Sequence, residues 1–425
     1  MKRAKSFELI VLAILMIWAM TACGNGSTDG GSDGSTGIPN TDWYNGGPGP
    51  FTISSADDLA GLAQLVNDGT DNFDGKTINL AVNLDLSAYQ GGKGWTPIGN
   101  SYDNPFSGAF DGNNKTISGL FIDNDAADMF GLFGTVIGGL IVNLGVVDAS
   151  ISCINGGGGL LAGTGLIITI NNCYATGSIN GWASIGGLFG GGVLATINHS
   201  RAAVEVSAAE NSSGLAMIAG GLAGVLTSGT ISNCCATGAV SGDSAVGGLV
   251  GMLAQSSSIV DSYATGAVEG RYDSVGGLFG SSNEAYNVIR CYATGRVGGR
   301  DDVGGLAGYA NLNSMSDCAA LNPGIYRTGA PTYDNFGEIA GSVSSGTYLT
   351  NNIAYYPMNP PYGAVGEMGA HYSLSEIKDQ ATYTNDLHWP FGSSAFSPWK
   401  WGGEVYPLPV LYWQDEASYP VLPEY

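Results

Sequence analysis

The sequence predicts an all-β fold: a parallel β-helix (β-solenoid) with turns of about 28 residues, a short N-terminal helical cap and an aromatic C-terminal cap. Right-handed crossovers are the rule for parallel strands, so a right-handed coil is expected. Three observations carry the prediction. A GGLxG-like word recurs along the chain, and a second word of the NCYATG type follows each one 13 or 14 residues later. Glycine supplies 69 of 425 residues. Only 12% of residues are charged while 44% are hydrophobic, a mixture that can bury a core. No Gly-X-Y period is present, which excludes collagen.

The elements follow in chain order. Residues 1–23 read as an export signal. Lys2, Arg3 and Lys5 form a basic n-region, and Leu9 to Met20 an apolar run shorter than the ~20 residues a membrane helix needs. The run ends Met20-Thr21-Ala22-Cys23, which resembles the bacterial lipobox. The resemblance implies that Cys23 is lipidated, and that the membrane is a partner through this N-terminal anchor. One acylated cysteine holds a chain to a leaflet without spanning it. Residues 24–50, rich in Gly and Ser, read as a flexible tether. Gly24 after the cysteine resembles an outer-membrane sorting signal. The expected location is therefore outside the cytoplasm, at the outer membrane or cell surface.

Residues 51–129 read as a cap and first turns. In SSADDLAGLAQLVN, Ser55 and Asp58 make a capping-box-like start, and Leu59, Leu62, Ala63 and Val66 form one apolar stripe. Two FDG…KTI segments, Phe73–Ile78 and Phe110–Ile117, read as wider opening turns.

The repeats span 130–358. The first words begin at Phe130, Gly158, Gly186, Gly220, Gly247, Gly276, Gly304 and Gly337, at intervals of 28, 28, 34, 27, 29, 28 and 33. The two longest intervals hold insertions near Ala208–Met217 and Asn322–Asp334. One such unit cannot bury a core alone, but stacked units share one. A helical solenoid is excluded because glycine costs a helix about 1 kcal/mol per position. Paired glycines suit corners that need φ > 0 or close backbone approach. In the second word the centre reads Leu144, Cys173, Ser200, Cys234, Ser262, Cys291, Cys318. Alternation on a strand turns this column inward. The next column, with Tyr174, Arg201, Cys235, Tyr263 and Tyr292, then points outward. Residues 359–425, crowded with Pro, Tyr and Trp, read as the closing cap.

These words resemble the GLUG-motif repeats of bacterial surface proteins, from Phe51 to Trp413. The segments FTISSADDLAGLAQLVNDG, FSGAFDGNNKTISGLFI and WPFGSSAFSPWKWGGEVYPLPVLYW resemble that family's lead-in and closing segments. The words NHSRAAVEV and SDCAALNPG depart from the pattern. The resemblance implies an adhesin-like surface protein, in a family that also supplies accessory regions to secreted peptidases. It implies no activity of its own.

The residues likewise supply no catalytic set. There is no HExxH and no CxxC, and three histidines are scattered. Asp123, Asp125 and Asp128 lack the glycine and glutamate of a calcium loop. Asp301 and Asp302 beside Arg300 form the nearest acid cluster, yet neighbours on a strand face apart. Cys291 and Cys318, in neighbouring turns, are close enough for a strained bridge; serine in the same column favours small buried thiols instead. The formal charge of −22 excludes a basic nucleic-acid footprint. Catalytic, cofactor and metal residues are therefore expected to be absent. The expected function is non-enzymatic binding or adhesion to a glycan or extracellular protein, with Tyr174, Tyr263 and Tyr292 as candidate contacts. A polysaccharide-degrading enzyme on the same scaffold and a passive surface layer are the alternatives.

Overall fold

The computed structural model describes residues 37–420, apart from 126–128, 154, 209–216, 331–334, 357, 359–365, 367–368, 395 and 405. Cys23, Asp128 and residues 24–36 of the tether lie outside the described residues. The rest of the segment read as a tether, 37–50, instead packs on the N-terminal cap, where Asn40 and the Trp43 indole bond Asp58, and Trp43 and Tyr44 contact Phe51 and Phe73.

The chain coils into a parallel β-solenoid. Sheet A, with 25 strands, runs its whole length, and sheets B and C have eight strands each. One column of sheet A shows the stacking: Phe51, Ile78, Phe110, Ile141, Ile170, Ile197, Ile231, Ile259, Val288, Met315 and Leu349 pair rung on rung in parallel register. All but Leu349 are buried. Eleven rungs at about 4.8 Å make a rod of roughly 50 Å. The Ser200 and Cys318 turns keep this register despite their divergent words.

Each GGLxG word is the corner between sheet C and sheet B. In GGLFG, Gly186 ends one strand, Phe189 starts the next, and Leu188 turns into the core. Gly186 pairs with Gly159, so the preceding word begins one residue later than its spelling suggests.

The paired glycines have backbone angles that any residue could adopt, and close approach is what requires them. A Cβ on Gly248 would lie 2.1 Å from the Gly277 carbonyl oxygen, and one on Gly277 2.2 Å from that of Gly305. Successive corners thus nest backbone against backbone. Glu338 takes the place of the second glycine in the last word.

Sheet A bends at a residue with positive φ on each turn: Asn172, His199, Asn233, Asp261, Arg290, Asp317 and Asn351, at +47° to +54°. Asn and Asp tolerate this region best among non-glycine residues, hence their frequency here. The bend divides each sheet A turn into two limbs, the first carrying the isoleucine column and the second the tyrosine column.

The N-terminal end is closed as expected. Helix α1 (Ala56–Asn67) starts at Ser55, whose hydroxyl accepts from the Asp58 N–H. Leu59, Leu62, Ala63 and Val66 are buried. Phe51, Phe73, Phe106 and Phe133 continue the packing into the first turns.

The C-terminal segment departs from the expected end cap. After the short helix α2 (Leu374–Ile377) it doubles back along the side of the rod as a strap. Its contacts descend in order. The Asn351 amide donates to the Asp386 carbonyl, and the Trp389 indole to the Asp317 carbonyl. Trp399 then reaches Asp261, Trp413 reaches Asn233, and Tyr412 meets His199. The strap covers six rungs, tightened by an antiparallel pair between Trp399–Trp401 and Pro409–Leu411.

Candidate binding surface

The second limb of sheet A brings the predicted tyrosines into one column. Tyr174 pairs with Arg201, Arg201 with Cys235, Cys235 with Tyr263, and Tyr263 with Tyr292. All point away from the core, as alternation dictates. Their environment differs from the expectation of an open ladder. Tyr263 and Tyr292 are fully buried beneath the strap. Their rings stack at 4.7 Å and 6°, with Trp399 and Trp389 over them. The Tyr263 hydroxyl donates to Gln414 Oε1, and that of Tyr292 to the Pro409 carbonyl, both near 2.9 Å. Burial pushes both phenols well above their ordinary pKa.

Tyr174 is half-buried, yet both ring faces are engaged. One lies against Gly145, where a Cβ would meet the ring 2.5 Å away; the other faces the Arg201 guanidinium 5.0 Å from the ring centre. Tyr263 and Tyr292 thus serve the fold, and beneath the strap neither offers a free face to a ligand, whereas half-buried Tyr174 lies on a rung the strap does not reach. For Tyr263 and Tyr292 that corrects the expectation of an open ladder, and the cause is their packing against the distant C-terminal strap.

The inward column behaves as expected in burial and adds a reason for its composition. The Cys173 N–H donates to Ser200 Oγ, the Ser200 N–H to Cys234 Sγ, and the Cys234 N–H to Ser262 Oγ. Each side chain in turn donates to the carbonyl two residues back, as Cys234 does to Ser232 and Ser262 to Val260. Asn352 takes the role on the last turn, accepting from the Cys318 N–H. Cys, Ser and Asn interchange because each is small and can both donate and accept. All six described cysteines are free and buried. Burial pushes the thiols of Cys153, Cys173 and Cys235 up to about 12, far from a reactive thiolate.

The acid cluster divides as predicted. Asp301 is fully buried and bonded to Arg300 at 3.0 Å, with Arg327 at 3.9 Å. Asp302 turns the other way to accept from Asn335 and Ser342. Asp273, in register with Asp301, pairs with Arg300 at 2.8 Å; burial raises its pKa against the lowering by that arginine. These groups bind one another, and Asp301 is closed to substrate. Among the described residues no three His, Cys, Asp or Glu side chains could hold a metal ion.

Two aromatics that the sequence reading passed over are exposed on the first limb of sheet A: Tyr286, 57% exposed, and Tyr348, 66%. The signal lay in the strand triplets TIN, TIN, TIS and SIV, whose outer positions lack charge.

No family model matches the chain. Halomucin of Haloquadratum walsbyi is 37% identical over 150 residues, covering 33% of this chain and 2% of that protein. The putative Gly-rich membrane protein of Evansella cellulosilytica is 32% identical over 152 residues, covering 34% of this chain and 16% of that protein. The chain thus matches small parts of much longer relatives. Among solved structures, a putative immunoglobulin A1 protease from Bacteroides ovatus aligns with TM-score 0.41 and 18% identity, covering 86% of this chain and 93% of that one.

Proposed function

We propose that the chain is a non-enzymatic, lipid-anchored rod at the cell surface that binds a glycan or an extracellular protein. The observation that carries the reading is how the chemically capable groups are used. The thiols, the acid cluster and the buried tyrosines are committed to partners within the fold. What the rod leaves to solvent is a long repeated surface. The signal-like N-terminus, the lipobox at Cys23 and the resemblance to GLUG-motif repeats support placement outside the cytoplasm. The description of the Evansella relative as a membrane protein is in keeping with that placement.

The test combines anchoring and binding. Metabolic labelling with a radioactive fatty acid should mark the chain, and Cys23→Ser should abolish the label. Protease added to intact cells should remove the rod. The purified mature chain should then bind defined ligands on a glycan and matrix-protein array. Absence of label, or resistance of the rod in intact cells alongside its cleavage in lysates, would contradict the surface reading. The second reading, a polysaccharide-degrading enzyme, would have to rest on Asp273, the one partly exposed carboxylate beside Arg300, since Asp301 is buried. Release of reducing ends from a polysaccharide, lost in Asp273→Asn, would favour it. A passive surface layer would leave the array blank.

A further inference from the structure

We propose that the outer face of the first limb of sheet A binds an extended, neutral polysaccharide laid along the rod axis; this rests on the reading of the chain as a ligand-binding rod. Seven successive strands form the face, from Thr169–Asn171 to Tyr348–Thr350, in parallel register. Their central residues point into the core. One outward column reads Thr169, Thr196, Thr230, Ser258, Asn287 and Ser314, and ends at Tyr348. Its members are half-buried or exposed, and the strap lies over the other limb.

Charge decides the class of ligand. The chain carries 36 acidic and 14 basic residues. The outward positions of these seven strands carry none of either. A polyanion would meet an acidic protein without a basic foothold. A neutral, hydroxyl-rich chain meets hydroxyls, amides and aromatic rings, with Val260 and Ile289 as the aliphatic members of the neighbouring column.

Geometry decides the shape. Some of the polar groups are already aligned along the axis: Thr230 Oγ1 lies 3.5 Å from Ser258 Oγ, and the Ser314 hydroxyl and the Asn313 amide both donate to Asn287 Oδ1. Rungs repeat every ~4.8 Å, close to the rise of one sugar in an extended β-linked chain. Tyr286 shares the rung of Asn287, and Tyr348 follows two rungs on, about 10 Å away along the axis. Two exposed rings at that interval can stack on alternate sugars while the rung between them offers Ser314 and Asn313.

Affinity gel electrophoresis of the mature chain tests this, with a neutral mixed-linkage β-glucan and with alginate as the anionic control. The β-glucan should retard the protein and alginate should not. Tyr286→Ser combined with Tyr348→Ser should weaken the retardation at least tenfold. Thr196→Glu combined with Ser258→Glu, which places charge mid-strip, should do the same. Circular dichroism confirms that each variant is folded. Unchanged retardation of both folded variants, or retardation by alginate alone, would overturn the proposal. No β-glucan binding together with array binding of a protein would overturn the strip and leave the ligand-binding rod standing. No binding to any probe would remove both.

Discussion

Removing Trp399 should release the strap and leave the rod intact. Its ring is fully buried, stacks on Trp389 at 4.5 Å, and donates from the indole N–H to Asp261 Oδ1 at 3.0 Å. Truncating a buried tryptophan to alanine costs about 3–5 kcal/mol. Each 1.4 kcal/mol is about tenfold in an opening equilibrium, so the strap should open roughly a hundred- to a few-thousandfold more often. The loss should stay local, because solenoid turns draw their stability from neighbouring turns. Hydrogen exchange by mass spectrometry of Trp399→Ala reads this directly. Exchange should accelerate by that factor in peptides spanning Trp399–Leu411 and in the Tyr263 and Tyr292 rungs. Peptides around Ile141 and Ile170, which the strap does not reach, should keep their wild-type rates. Equal acceleration over the whole rod would refute the local strap, and no acceleration at 399–411 would refute its anchoring by Trp399.

Further outcomes follow from the repeats. Gly248→Ala must place a Cβ 2.1 Å from the Gly277 oxygen and should lower stability by about 1–3 kcal/mol in urea unfolding, whereas Gly324→Ala, with open space around it, should be near neutral. Cys234→Ser keeps both hydrogen bonds and should stay within ~1 kcal/mol; Cys234→Val strands the Ser200 N–H and should cost about 1–3 kcal/mol on the same measurement. The buried thiols make stability pH-dependent on the alkaline side. Their folded pKa of about 12 lies above the unfolded value near 8.5, so their contribution is complete below about pH 8.5 and is lost as pH rises toward 12. Urea midpoints between pH 7 and 11 should show the decline, and replacing Cys153, Cys173 and Cys235 by serine should flatten it.

Much of the coil was legible because solenoid contacts are periodic. The register of Ile170 with Ile197 follows from local spacing, and so does the inward turn of Cys173 and Ser200. Helix α1 was legible from Ser55 and its apolar stripe. The reason for the paired glycines was half legible, since spelling cannot distinguish positive φ from the close approach found at Gly248. The fate of Tyr263 and Tyr292 was not legible. It depends on where residues 389–414 fold back, and no period in the sequence relates Trp399 to Asp261. Alternation alone gives the side to which a residue points; it does not say what covers that side.

The most direct test of that distinction is hydroxyl-radical footprinting of the folded mature chain. The account predicts rapid oxidation of Tyr286 and Tyr348 and at least tenfold slower oxidation of Tyr263, Tyr292 and Trp399. Added β-glucan should then protect Tyr286 and Tyr348 selectively. Oxidation of Tyr263 and Tyr292 as fast as that of Tyr348 would contradict the account, because it would mean the tyrosine column is open and the strap is not in place.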